Sequence, residues 1–521
     1  MTTRLASNEA ARASLKRLGR ERLAVIGLGL NNAALVRFLL RQGARVTVFD
    51  RKSREEMAGR LAELGPGLAD SPNLSLSLGP DYLSGLRGFD RVFLTPGMRK
   101  DQPEIRAAAR EGAAITGDFE LFFELCAAPI TAVTGSAGKT TTTTLVGLIL
   151  EAEYAGKKPV YVGGNIGRPL IDRVLEIPAE AEVVLELSSY QLQMVTRSPE
   201  VGAILNISPN HLDVHASMEE YVQAKANIIR FQGADGWGVF NYDDPMTRAM
   251  GLSRTRGGEP GGPGATSGGG PGVAWFSTKA APADLPAAAG KGPAPAAVLD
   301  GEDLVVRGPA GGTGSGAAAS AAMGAFARVC SRSELIIPGE HNVQNALAAL
   351  AAAALRGAGP EAARRVLTTF RGVAHRLELV AEHGGVRYIN DSIATTPERT
   401  EAALRTLGPA APLVLILGGY DKGLPFDEMA RLIVESGWVK ATVLAGKTAG
   451  KIDEALARAA EELGRPRPQN RVAHGFDESV TEARALAADG DIVLLSPACA
   501  SYDMFNNFEE RGKRFAELVR A

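Results

Sequence analysis

Cysteine is nearly absent: Cys126, Cys330 and Cys499 are the only three in 521 residues. Their odd number and wide spacing exclude a disulfide framework and a CxxC metal pattern, so a reducing cytoplasm fits and each reads as a small buried hydrophobe. Neither sign of charge is in excess, with 57 Lys plus Arg against 59 Asp plus Glu. There is thus no general basic field for wrapping nucleic acid or coating an anionic membrane. Long apolar runs are missing too, since the greasiest stretch, "NALAALAAAALRG", falls short of the roughly 18 residues a membrane span needs. The N-terminal "MTTRLASNEAARASLKRLGR" lacks the apolar core of a secretory signal and is expected to be a loose lead-in or short helix over residues 1–20. A soluble monomer acting on small, locally bound substrates is the expectation.

What is present is alternation. Apolar, β-branched runs such as "LAVIGLG", "ARVTVFD", "ITAVTG", "AEVVLELSS", "PLVLILGG" and "DIVLLSP" are separated by helical patterns through most of the chain. Continuous apolar strands between helices indicate an α/β fold with parallel sheets covered on both faces. The length suggests about three domains, each able to bury its own core. The composition breaks once, between about Gly251 and Ser331, where Gly, Pro, Ala and Ser dominate. Such stretches cannot bury enough apolar surface to offset chain entropy, so enlarged loops around a short hairpin, "AVLDGEDLVVR", are expected, without chemistry of their own.

Two glycine turns follow apolar strands. In "VIGLGLNNAALVRFLL" the third glycine of a GxGxxG pattern is replaced by Asn32 or Ala33. The motif supports either a nucleotide site, with the amides of Gly29, Leu30 and Asn31 facing a pyrophosphate, or tight strand-to-helix packing alone. Asp50 closes the next strand, and Thr95, Pro96 and Gly97 end another that lines the same crevice. The second turn, "TAVTGSAGKTTTTTLVGLIL", is a phosphate cradle of the shorter T-G-S-x-G-K-T type, because the opening glycine of the longer motif is Val133 here. Gly135 and Gly138 let backbone amides approach phosphate, Lys139 reaches the β and γ oxygens, and Thr140 or Thr141 offers a hydroxyl to Mg²⁺. A second "AGKT", Ala445 to Thr448, has no preceding glycine turn and reads as a decoy.

Glu186 ends the apolar strand "AEVVLELSS", where an unpaired carboxylate is costly to bury, so a Mg²⁺ role is expected there. The next strand runs into "PNHLDVH", which brings His211, Asp213 and His215 to the same edge. "SMEEYVQAKANIIRF" opens with a capping pair, Ser217 and Glu220, and predicts a helix. Lys225 interrupts its stripe of Met218, Tyr221, Val222, Ile228 and Ile229, so it is either snorkelling or chemically used. Burial lowers a lysine's pKa, and the neutral amine can take up CO₂ as a carbamate, in effect a long carboxylate for Mg²⁺.

Taken in order, "TGSAGKT", "GGNIG", "ELSSYQL", "NHLDVH", "YVQAK", "GEHNVQNALAA", "HRLE", "NDSIATT" and "SPACASYDMFNNFEERG" resemble the Mur ligases, ATP-dependent amino-acid ligases of peptidoglycan synthesis, and most closely their glutamate-adding branch. The resemblance covers nearly the whole chain apart from the lead-in and the Gly/Pro-rich insertions. It implies a UDP-binding domain over 21–126, a central ATP-binding domain over 127–372 and a C-terminal amino-acid-binding domain over 373–521, the first and last Rossmann-like. It also implies ATP, Mg²⁺, UDP-MurNAc-L-Ala and glutamate as ligands.

Residue by residue, the resemblance gives the ATP phosphates to Gly135, Ser136, Gly138, Lys139, Thr140 and Thr141, and adenine to Asn345. Arg376 and Asp391 become further ATP contacts. Thr140, Glu186, His211 and carbamylated Lys225 become the metal set, with Lys139, Lys225 and His211 catalytic. The UDP substrate falls to Gly29, Leu30, Asn31, Asp50, Arg51, Thr95, Pro96, Gly97, Asn165 and Ser188, and glutamate to Thr395, Lys422, Ser501 and Phe508. Two positions depart from the pattern. Ile393 stands where many glutamate-adding ligases have the lysine of "NDSKAT", removing a cation near the amino-acid pocket, and Asn210 replaces the first aspartate of D-H-L-D. "DSIATTPE" also resembles an L-glutamate-adding subgroup, so the isomer stays open at this point. The rivals are a folylpolyglutamate synthase-like ligase, which would not need the "GLGLN" turn as a UDP site, and a P-loop switch ATPase. An NAD-dependent oxidoreductase leaves the P-loop unexplained.

Overall fold

The computed structural model describes residues 11–167, 169–208, 217–255, 270–287, 294–308, 325–337, 339–421 and 423–521. The expectations for Asn210, His211, Asp213, His215 and Lys422 lie outside the described residues. A helix occupies 11–18, within the expected lead-in.

The apolar runs form three sheets. The first contains β1 (Arg22–Ile26), β2 (Arg45–Asp50), β3 (Leu74–Leu78), β4 (Arg91–Leu94) and β5 (Ala114–Thr116), all parallel in the order β3-β2-β1-β4-β5. The order reverses between β1 and β4, which opens a crevice at their C-terminal ends. Helix α1 (Leu30–Arg41) leaves β1 at that point.

The second sheet contains β6 (Ile130–Thr134), β7 (Val160–Gly164), β8 (Glu182–Glu186), β9 (Val201–Ile204), β10 (Trp237–Asn241), β11 (Gly272–Ser277), β12 (Ala296–Asp300), β13 (Asp303–Arg307) and β14 (Ala327–Ser331). Its order is β14-β13-β12-β11-β10-β9-β6-β8-β7. The expected hairpin is β12–β13, turned at Gly301 with φ +61°. At this edge β13 pairs antiparallel with β12, as a hairpin requires, and also with β14. Helices α2 (Lys139–Tyr154), α3 (Met218–Arg230) and α4 (Glu340–Leu355) accompany this sheet. Ser217 caps α3 by accepting from Glu220 N at 3.2 Å, while the Glu220 carboxylate also accepts from Gln193 Nε2.

The third sheet contains β15 (Glu378–His383), β16 (Val386–Asn390), β17 (Leu413–Leu417), β18 (Val439–Leu444), β19 (Gln469–Val472) and β20 (Ile492–Leu495), in the order β15-β16-β20-β17-β18-β19. Only its edge strand β15 pairs antiparallel. Helices α5 (Pro397–Leu407) and α6 (Phe508–Arg520) belong to it.

By contacts the chain forms two units, Met1–Phe370 and Arg371–Ala521. In the first unit one apolar cluster runs through both sheets, from Leu23, Val25 and Phe38 to Ile130, Leu185 and Trp275. Arg37 of α1 also reaches Asp172, with Nε donating to Oδ2 at 3.0 Å. In the second unit β17 alternates, with Leu413, Leu415 and Leu417 on one face and Val414 and Ile416 on the other. A parallel strand buried on both faces needs this all-apolar composition.

Candidate active site

The cradle is built where β6 stops. Residues 135–138 turn the chain and α2 starts at Lys139 behind Gly138, whose φ is +82°. A Cβ on Gly138 would lie 2.2 Å from Asn345 Oδ1, so conformation and space both require glycine. The loop is splinted by the segment after β9. Ser136 N donates to Asn206 O at 3.0 Å, Ala137 N to Asn206 Oδ1 at 2.8 Å, and Ser208 N to Ser136 Oγ at 3.0 Å. Lys139 Nζ folds back onto Gly135 O at 2.8 Å and Ser136 O at 3.3 Å. Thr140 is buried and Thr141 half-buried in the first turn of α2. Asn345, on α4, accepts from Thr142 Oγ1 at 3.4 Å and donates to Asn342 Oδ1 at 3.2 Å.

Strand β8 carries a buried carboxylate at each end, and their surroundings differ. Glu182 is held by Arg356, with Nε on Oε2 and Nη2 on Oε1 both at 2.8 Å, and by Lys158. That is a closed structural ion group. Glu186, 2% exposed, accepts from Asn165 Nδ2 at 2.9 Å through Oε1, and its buried Oε2 has no hydrogen-bond partner among the described residues. A carboxylate oxygen desolvated without a donor is expensive unless a cation takes it. Glu186 is in register with Val133 of β6 and Gly164 of β7, so it stands beside the start of the cradle. At this edge Glu186 Oε2 is an oxygen that a divalent cation would satisfy, and the Thr140 hydroxyl lies in the first turn of α2. Among the described residues no group of three or more His, Cys, Asp and Glu is placed to hold a metal ion.

Lys225, on α3, reaches the cradle. It is 2% exposed, and its Nζ donates to Gly135 O at 2.9 Å and Thr134 Oγ1 at 3.4 Å while lying 4.6 Å from the Tyr221 ring centre. Burial, and then the charge of Lys139, push its pKa down to about 6. Two lysines thus converge on one carbonyl, and burial favours the neutral amine at Lys225. Tyr221 OH also meets Ser136 Oγ at 2.9 Å, tying α3 to the cradle.

At the first turn, Asp50 accepts from Leu28 N at 2.9 Å and Lys52 N at 3.1 Å, so its carboxylate shapes the loop. A Cβ on Gly27, φ +77°, would lie 3.1 Å from Thr95 Cβ. Gly29, Leu30 and Asn31 open α1, with Leu30 55% exposed. Together with Thr95, Pro96 and Gly97 they gather at the C-terminal ends of β1 and β4, and the exposed Arg51 follows β2. Ser188 caps the helix Ser189–Leu192 in a reciprocal box with Gln191, so the cap is the role its geometry displays.

In the second unit Asp391 is 4% exposed and accepts from Ser496 Oγ at 2.8 Å and Leu377 N at 3.3 Å. Burial raises its pKa to about 7. Arg376 lies between His375 and Leu377, which have φ of +63° and +45°. Thr395 N donates to Ile393 O at 2.8 Å, and Ser501 is buried. Phe508 opens α6 with its ring edge-on to His375, 6.2 Å between centres, and its carbonyl accepts from Ser392 Oγ at 2.8 Å.

Residues 21–117 match the Mur ligase MurD-like N-terminal domain, 133–256 the Mur ligase middle domain, and 375–499 the Mur ligase glutamate ligase domain. The chain belongs to the Mur ligase family. It is similar to proteins named "UDP-N-acetylmuramoylalanine--D-glutamate ligase" in Symbiobacterium thermophilum, 48% identical over 96% of this chain and 98% of the relative, and in Acetivibrio thermocellus, 42% identical over 97% of each. Among solved structures it is similar to UDP-N-acetylmuramate-alanine ligase MurC of Thermotoga maritima, 20% identical with a TM-score of 0.49 over 96% of this chain and 99% of that one.

Several residues shape this Mur ligase in roles that the sequence alone did not assign. Asn32 Nδ2 donates to Ile26 O at 3.0 Å and Gly27 O at 2.9 Å, which replaces the missing third glycine by stitching the turn to the helix. Asn206 splints the cradle. Arg511, fully buried, donates through Nε to Ser392 Oγ at 2.9 Å and through Nη2 to Ser392 O at 2.9 Å and Cys499 O at 3.0 Å, joining two loops of the second unit. The second "AGKT" latches the glycine pair after β17, with Gly419 N donating to Thr448 Oγ1 at 3.1 Å. Only the position of Asn206 at the end of an apolar run, beside the cradle's neighbour strand, hinted at a role.

Proposed function

We propose that this Mur ligase joins glutamate to UDP-N-acetylmuramoyl-L-alanine, coupled to conversion of ATP to ADP and phosphate, as a cytoplasmic step of peptidoglycan synthesis. D-glutamate is the isomer in the names of the relatives. A carboxylate is a poor acylating agent because its leaving group would be oxide. The L-alanine carboxylate therefore first attacks the γ-phosphorus of ATP in line, forming an acyl phosphate and releasing ADP. The glutamate amine then adds to the acyl carbon, and the tetrahedral intermediate expels phosphate.

The residues act by position and charge. The amides of Gly135 to Gly138 and the Lys139 ammonium hold the phosphates, with Asn345 at adenine and Arg376 and Asp391 as further ATP contacts. Lys225 becomes a carbamate by adding CO₂ and losing a proton, which its neutral amine permits. Glu186, Thr140, His211 and that carbamate would hold Mg²⁺, which would supply neutralisation of phosphate charge. Asn165 aims Glu186, and Gly29, Leu30, Asn31, Asp50, Arg51, Thr95, Pro96, Gly97 and Ser188 receive the UDP substrate. Thr395, Lys422, Ser501 and Phe508 receive glutamate.

The observation that carries the reading is the buried Lys225 on the same carbonyl as Lys139, together with Glu186, whose Oε2 has no hydrogen-bond partner among the described residues. A phosphate-release assay with ATP and UDP-MurNAc-L-Ala tests it, comparing D-glutamate, L-glutamate and no amino acid. Release that needs both the UDP substrate and D-glutamate is expected. ATP turnover indifferent to both would instead indicate a switch ATPase, and a preference for L-glutamate would overturn the isomer.

A further inference from the structure

The segment 188–198 begins two residues after Glu186 and is bonded on two sides. On one side lie the first sheet and the helix Asp118–Leu125. Thr196 donates to Glu120 of that helix, through N at 2.7 Å and Oγ1 at 2.6 Å, and the buried Met194 shares a cluster with Ile26 and Leu94, the last residues of β1 and β4. On the other side lies α3. Asn227, two residues beyond Lys225, donates through Nδ2 to Leu192 O at 3.0 Å, and its carbonyl accepts from Ser198 Oγ at 2.7 Å.

Gln193 bonds to both sides at once. Its carbonyl accepts from Lys100 Nζ at 2.6 Å, and its Nε2 donates to Glu220 Oε1 at 2.6 Å. Lys100 follows the crevice residues Thr95, Pro96 and Gly97 and is half-buried, while Glu220 stands in the first turn of α3, where a carboxylate suits the helix dipole. Burial lowers the Lys100 pKa and the Glu220 charge opposes that, so one amide residue relays a cation beside the UDP crevice to an anion on α3. Helix α3 in turn meets the cradle twice, through Lys225 on Gly135 O and Tyr221 on Ser136 Oγ. The contacts from crevice to cradle are therefore continuous.

We propose that Lys100 is a positioning residue that couples the two substrate sites: through Gln193 and Glu220 it sets α3 on the cradle, so that filling the UDP crevice and filling the cradle favour one another. The inference rests on the assignment of those two sites in the function proposed above. Fixing the segment costs conformational entropy, and the second ligand meets a segment that the first already holds. Such coupling is reciprocal.

The test is calorimetric titration of the full-length protein with UDP-MurNAc-L-Ala and with a non-hydrolysable ATP analogue plus Mg²⁺, each alone and each with the other at saturation. In the wild type each ligand is expected to tighten the other by about fivefold or more, by the same factor in both orders. Lys100→Met keeps the length and removes donor and charge, and is expected to bring that factor to about one. Gln193→Met leaves the carbonyl for Lys100, removes only the bond to Glu220, and is expected to do the same. Lys100→Arg is expected to keep most of the coupling. A merely structural lysine would instead weaken each ligand alone or lower the melting temperature, with the factor held. An unchanged factor in Lys100→Met overturns the proposal, and so does coupling that survives in Gln193→Met. Should Lys100→Met fail to fold, Gln193→Met decides. Wild type that binds both ligands independently overturns the coupling alone, whereas wild type that binds no UDP-MurNAc-L-Ala removes the ligase reading itself.

Discussion

Lys225 has no carboxylate partner among the described residues, and its amine is fixed by a carbonyl and a hydroxyl. If it serves as a carbamate, Lys225→Ala should lower kcat by about a hundredfold or more. Formate or another small carboxylate, filling the vacated space, should restore part of that activity; full activity without the lysine would refute the role. The same burial has a pH signature. The folded pKa, about 6, lies below the unfolded value of roughly 10.4, so between these limits the unfolded chain binds the extra proton. Stability from this group is complete above the upper limit and is lost as pH falls toward the lower one. Lys225→Met should therefore raise the melting temperature of the first unit more at pH 6.5 than at pH 9 in CO₂-free buffer, and an equal shift at both would contradict it. Lys225 was legible in the sequence because it breaks an apolar stripe at helical spacing. Asn32, Asn206 and Arg511 were not, because each side chain bonds to backbone of another segment, and nothing in the local pattern names that partner.

At the scale of elements, glycines decide how closely strand ends approach the cradle. Gly164 ends β7 with φ +104°, and a Cβ there would lie 2.1 Å from Glu186 O and 2.8 Å from Glu186 N. Gly164→Ala must displace the end of β8 and with it the bond from Asn165 to the Glu186 carboxylate. A loss of about 3 kcal/mol or more is expected from chemical denaturation, together with weaker Mg²⁺ dependence of activity. Gly156 supplies the control, since it also has positive φ, +79°, but nothing within 4 Å of its built Cβ. Gly156→Ala should cost only about 1 kcal/mol. Equal losses at the two sites would show that conformation, not the close approach to β8, sets the penalty. The strand–turn–helix order around both glycine turns was legible, because turn residues punctuate apolar runs. The addition of β14 to the β12–β13 hairpin was not, since a short apolar strand does not name its partner.

For the molecule as a whole, local patterns could mark the strands but not which sheets share side chains. Phe38 and Leu185 are ordinary apolar residues in their own segments, yet one cluster contains both. The second unit differs, because its two clusters draw only on residues from Leu377 onward and lie on opposite faces of one sheet. A six-stranded sheet closed on both faces has what an independent core requires. Residues 371–521 produced alone should therefore give a single cooperative urea transition followed by far-UV circular dichroism. Leu415→Ala and Ile416→Ala probe the two faces, and each should cost about 2–5 kcal/mol in the fragment. If the faces depended on one another's packing only through the rest of the chain, the fragment would melt gradually and neither substitution would shift a midpoint. If the core is complete, both shifts appear, and they match those of the corresponding transition in the full chain.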